Sequence, residues 1–128
     1  MEPNFTFRPQ PRTLPLPSYA SQISYTRIPP ILLQLDEKPG TSRTLANQLL
    51  RSGTSIGANL AESKGGHSRA DYLSKVSIAL KEARETHYWL RLLIATDIIP
   101  ENQLTPLLDE ANQLVAILTT IVKKLKSL

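Results

Sequence analysis

Apolar residues in the C-terminal half of the chain recur at alternating spacings of three and four. Leu73, Val76, Leu80, Ala83, Leu90 and Ile94 follow this rule, with His87 in the same row. Leu107, Ala111, Leu114, Leu118, Ile121 and Leu125 repeat it, and Leu108, Val115 and Val122 widen the second stripe. A period near 3.6 puts each set on one helical face, so the pattern predicts two long amphipathic helices. Ser68 opens the first with a capping box whose acidic member is Asp71. That helix runs to about Thr96 and is broken by Asp97-Ile98-Ile99-Pro100. The second helix has two possible starts, because Pro100 or Pro106 would each serve as a first-turn proline, the latter with Thr105 as its cap. Upstream, Thr41 or Ser42 caps a third helix running to about Ser63, which Gly65-Gly66 ends through left-handed backbone geometry. Long helices on short joints make an up-and-down bundle. There is no strand signal and no internal repeat.

The N-terminal third reads differently. Pro3, Pro9, Pro11, Pro15, Pro17, Pro29, Pro30 and Pro39 are eight of the ten prolines in the chain. Each removes a backbone donor and disfavours helix in the residue before it, so residues 1–29 are expected to form an extended, largely unpacked arm. Residues 30–128 form the bundle domain. Pro29-Pro30 starts at most a short helix over Ile31–Glu37, stopped by Lys38-Pro39-Gly40. The expected fold is therefore all-α, an antiparallel up-and-down four-helix bundle whose first helix is short or irregular.

At 128 residues and 41% apolar content, one modest core is what the chain supports. Fifteen Lys and Arg against 11 Asp and Glu leave +4, which permits an anionic partner without demanding one. With no cysteine, disulfides, thiolate metal sites and a cysteine nucleophile are excluded, and a reducing cytoplasm suits the chain. No stretch approaches the roughly 18 consecutive apolar residues of a membrane span. The start of the chain has no apolar core of a secretion signal.

Three groups of positions break the simple bundle pattern. Gly53, Gly57 and Ala61 recur every four residues as a stripe of small side chains. An interior glycine costs about 1 kcal/mol relative to alanine, which a closely approaching helix offsets, either inside the bundle or from another subunit. Beside them Ser52, Ser55 and Asn59 form a neutral polar row ending at Glu62. Buried, this row needs partners, for which Lys81, Arg84 and Glu85 are candidates. Ile78, Trp89 and Leu92 lie off the apolar stripe of their helix and mark a second contact surface, occupied by the N-terminal segment or another subunit. Trp89 beside Tyr88 is alternatively a platform for a nucleic-acid base.

Catalytic and metal chemistry find little support. A di-iron bundle site needs Glu-x-x-His on one face; Arg84 stands three residues before His87, while Glu82 and Glu85 have no histidine partner on another helix. His67 is isolated, no Ser–His–acid set can be assembled, and Gly65-Gly66 lacks the length and lysine of a phosphate loop. No cofactor is implied. The basic residues fall into two groups: Lys64, His67, Arg69 and Lys75 around the first joint, and Lys123, Lys124 and Lys126 at the end of the last helix. They serve as a solvated surface and helix-dipole complement, or, repeated in an assembly, as a strong field for RNA or DNA.

The segment TSIGANLAES, followed by a serine-capped helix with IALKEARETHYWLRLL, closely resembles the four-helix-bundle family of proteins encoded in intervening sequences of 23S ribosomal RNA genes. The likeness spans about Thr41 to Leu128. It rests on Ser52, Ser55, Ile56, Gly57, Asn59, Glu62, Ser68, Lys81, Glu82, Glu85, Tyr88, Trp89 and Leu90. The resemblance implies a closed antiparallel bundle assembling as a homopentamer. It also implies kinship with the accessory protein of diversity-generating retroelements, which binds nucleic acid and a reverse transcriptase. No enzymatic activity comes with it. Family members open with a long first helix, whereas Ser24–Leu35 here is SYTRIPPILLQL. The expected function is that of a non-enzymatic, self-associating bundle that binds RNA or DNA through repeated basic surfaces; the alternative is a protein-interaction scaffold.

Overall fold

A computed structural model of the chain describes residues 40–65 and 67–128. Three helices make up this part: α1 (Thr41–Ser63), α2 (Arg69–Thr96) and α3 (Glu101–Lys126). No strand occurs among the described residues. The expected arm over residues 1–29 and the short helix over Ile31–Glu37 lie outside them, as does Gly66.

Local chemistry sets the helix ends. At the start of α2 the Asp71 amide donates to Ser68 Oγ at 3.1 Å, the N-cap expected from the sequence. The start of α1 departs from expectation: its cap position is Gly40, with φ +81°, and no side chain caps it. Glycine adopts that backbone without steric cost, so the turn needs neither Thr41 nor Ser42 as cap. The end of α1 departs from expectation at Gly65, while Gly66 lies outside the described residues. Lys64 keeps right-handed dihedrals, and the amides of Lys64 and Gly65 donate back three residues to Ala61 and Glu62 at 3.3 and 3.1 Å. A tightened final turn satisfies those carbonyls, so Gly65 does not adopt left-handed geometry.

The second joint does use left-handed backbone, at Asp97 with φ 54°. Ile99 in the same joint is buried and Ile98 packs partly against the core, so the segment that breaks α2 also plugs that end of the molecule. Of the two possible starts for α3, Pro100 occupies the cap position and Pro106 sits inside the helix. Thr105 is correspondingly not a cap; its hydroxyl donates to the Glu101 carbonyl at 2.9 Å.

Joints at residues 64–68 and 97–100 turn each helix back on its predecessor. Near the first joint Glu62 pairs with Lys75, and farther along α1 Arg51 and Ser52 meet Glu82 and Thr86. Partners that diverge from the joint at equal rates define antiparallel packing. Extensive contact joins α1 to α2 and α2 to α3, with none comparable between α1 and α3. The central helix therefore has two neighbours.

Its buried face reflects both of them. Val76, Leu80, Ala83 and Leu90 are buried as the apolar stripe anticipates, but so are Tyr72, Ala79, Glu82, Thr86 and Leu93. Leu73 and Ile94 are only half-buried against the core, and His87 sits half-buried at the edge rather than inside it. Contact with α1 through Glu82 and Thr86 rotates the buried centre away from the stripe. On α3 the expected Leu107, Ala111, Leu114, Leu118, Ile121, Leu125 and Val122 are buried, joined by Leu104, while Leu108 and Val115 are only half-buried.

Replacing Asp97 with glycine should stabilise the fold by roughly 0.5 kcal/mol, because it removes both a left-handed β-carbon and a carboxylate at a helix C-terminus. Asp97→Val should destabilise it. Thermal melts of the two variants test the assignment: similar shifts for both would show that the joint tolerates any residue.

Candidate functional site

Two arrangements of polar side chains stand out, one between α1 and α2 and one at an end of the molecule. The first replaces the pairing expected for the polar row. Asn59 Nδ2 donates to the Ser55 carbonyl at 2.8 Å and to Ser55 Oγ at 3.0 Å, all within α1. Glu62 pairs with Lys75 at 2.7 Å. Lys81 is exposed and acts on Glu85 through its charge alone. Across the helix interface the partners are Ser52 with Thr86, and Arg51 with Glu82 and Glu85.

Ser52 and Thr86 are both fully buried. The Thr86 hydroxyl lies 3.0 Å from Ser52 Oγ and 2.9 Å from the Glu82 carbonyl, and its single proton serves one of them at a time. Ser52 also reaches the Leu49 carbonyl, at 3.4 Å. Outside this pair Arg51 Nη1 meets Glu82 Oε2 at 3.3 Å while Nη2 contacts Glu85 Oε1. Glu82 is only 8% exposed, so the guanidinium acts as a lid over a largely buried carboxylate. Glu85 also accepts from the Trp89 indole at 3.2 Å. The Arg51 hydrogen bond, against some desolvation and aided by Trp89 and the charges of Arg51 and Lys81, holds the Glu85 carboxyl below its usual range.

Trp89 and Leu92, expected off the stripe, are half-buried and pack partly on the core. Ile78, 37% exposed, and Tyr88, 55% exposed, face outward. Tyr88 and Trp89 meet edge to face with centroids 5.0 Å apart. Gly53 and Gly57 are buried, but Ala61 is exposed. The small-residue stripe thus does not act as one packing surface within the chain, and its last member faces outward beside Glu62.

The basic residues come together through topology. The charged end of α3 returns alongside the start of α2, since 26 and 28 residues give helices of nearly equal length at ~1.5 Å per residue. Lys123, Lys124 and Lys126 therefore share one end of the molecule with Lys64, His67, Arg69 and Lys75. All are exposed except Lys75, which is tied to Glu62. Six Lys and Arg side chains at this end face only two carboxylates, Glu62 and Asp71, a net of +4. The other described residues carry five cations and six carboxylates, including Asp97 and Glu101 at the opposite joint. The positive excess sits at one end. Among the described residues no three His, Cys, Asp or Glu side chains are grouped to hold a metal ion. No described helix is long and apolar enough to cross a membrane.

The polar seam yields two expectations. Thr86→Val and Ser52→Ala should each cost about 1 kcal/mol, and the double variant less than their sum, because the two hydroxyls share one hydrogen bond; urea unfolding of the four proteins measures the coupling. Because Glu85 titrates lower when folded, its contribution is complete above the ordinary value of 4.5 and is lost as pH falls through the depressed one. Stability followed from neutral pH into acid should therefore fall less steeply for Glu85→Gln than for the parent. Superimposable curves would leave the Arg51 pair without a role in stability.

Comparison with known proteins places this architecture. The family model for 23S rRNA-intervening sequence proteins matches residues 32–120. A crystal structure of a protein of unknown function from the S23 ribosomal protein family of Bacteroides thetaiotaomicron is similar at 38% identity, with a TM-score of 0.71. The match covers 81% of this chain and 98% of that one. No curated protein is significantly similar. With 89 of its 128 residues inside the family match, the chain belongs to the 23S rRNA-intervening sequence protein family.

Proposed function

We propose that this protein is a non-enzymatic, self-associating helical bundle that binds RNA or DNA through its basic end. The observation that carries the reading is the convergence of the two basic groups, far apart in sequence, on one end of the molecule. Lysine ammonium groups attract phosphate as point charges and select no base, so the contact is electrostatic and falls steeply with salt. Assembly multiplies it. The outward side chains of Ile78 and Tyr88, with half-buried Trp89 and Leu92 on the same flank of α2, supply an apolar surface for a second copy. Pentameric assembly, as the family resemblance implies, would gather five basic ends.

The same flank favours a second reading, a scaffold that docks a partner protein. Trp89 does not suit base stacking: its indole N–H is held by Glu85, and the ring is half-buried against the core. Proteins with Lys123→Glu/Lys124→Glu and with Trp89→Ala separate the readings. The lysine variant should keep the particle mass of the parent by light scattering and bind nucleic acid about tenfold more weakly at low salt, whereas Trp89→Ala should lower the particle mass. No nucleic-acid binding by the parent at low salt rejects the first reading in favour of the scaffold, and undiminished binding by the lysine variant rejects the basic end as the contact.

A further inference from the structure

Resting on that reading, we infer that the basic end engages the two phosphate rows of a double helix rather than the bases of a single strand. The cations there are spread in two dimensions. One group (Lys64, Arg69, Lys75) belongs to the α1–α2 joint and the other (Lys123, Lys124, Lys126) to the end of α3, and packed helix axes stand about 8–10 Å apart. A single strand offers a line of phosphates and meets one group at a time. A duplex presents phosphates on both sides of a groove whose width is about 6 Å (minor) to 12 Å (major), a spacing that engages both groups together.

Among the described residues, this end also lacks what single-strand binding requires. Such proteins stack successive bases on exposed aromatic rings. Among the described aromatic residues only Tyr72 lies near the basic end, and it is 3% exposed. The Tyr88–Trp89 pair stands about 24 Å farther along α2, from the helical rise per residue, beside Glu82 and Glu85. Arg69 is the single guanidinium of the cluster, so base edges have little to meet. The chemistry is that of sequence-independent backbone binding to a helical polyanion.

The full chain is titrated at low salt with a labelled 25-nucleotide strand, with a poly-dT of the same length, and with the duplex of the first, at matched phosphate concentration. The duplex is expected to bind about tenfold more tightly. Lys123→Glu/Lys124→Glu, with its helicity checked by circular dichroism, should erase that preference by removing one of the two groups. Equal or tighter binding of the single strands overturns the duplex inference and leaves nucleic-acid binding in place. Failure to bind any of the three removes both, including the case in which only phosphatidylserine vesicles bind.

Discussion

Helix α2 has to satisfy two unlike neighbours at once, and the rest of the structure follows from how it does so. Toward α3 it presents aliphatic side chains to the face of Leu107, Ala111, Leu114 and Leu118. Toward α1 it presents Glu82, Thr86 and Glu85. Apolar packing is tolerant of sliding, whereas a buried hydroxyl pair and a carboxylate under a guanidinium are satisfied in one register only. The polar seam between Ser52 and Thr86 thus fixes where α1 stands, while apolar side chains of all three helices, Leu49 and Ile56 of α1 among them, fill one shared core.

This division explains what the sequence disclosed. The span of α2 and its Ser68 cap were legible because caps and breakers act within one turn, and the span of α1 was legible although Gly40, not Thr41 or Ser42, holds its cap position. The α3 stripe was legible too, since that helix has one apolar face. The buried centre of α2 was not, because a helix with two neighbours buries more than its most regular stripe, and Thr86 and Glu82 carry no apolar signal. Arg51 was missed for a related reason. Partners for the polar row were sought by residue type, among Lys81, Arg84 and Glu85, rather than by register. Arg51 lies about as far before the first joint as Glu82 and Glu85 lie after it, and counting outward from the joint would have found the pair.

The two basic groups pose the same lesson on a larger scale. Read along the chain they are unrelated, one in a joint and one at the end of a helix. An antiparallel bundle with an odd number of turns between them places both at one end, so a modest formal charge becomes a local excess there, while the other described residues together carry a net −1. Phosphate contact of the kind proposed depends on that local excess far more than on net charge.

The linkage of neighbours alone has a kinetic consequence. Because α1 and α3 each pack on α2 and scarcely on one another, the main contacts among the described helices are closed by loops of a few residues, and mean sequence separation is low. Chains of this kind fold in about microseconds to milliseconds, since little loop entropy is lost before contacts form. Both hairpins contain α2. The central helix therefore takes part in each of these short closures as well as setting the register.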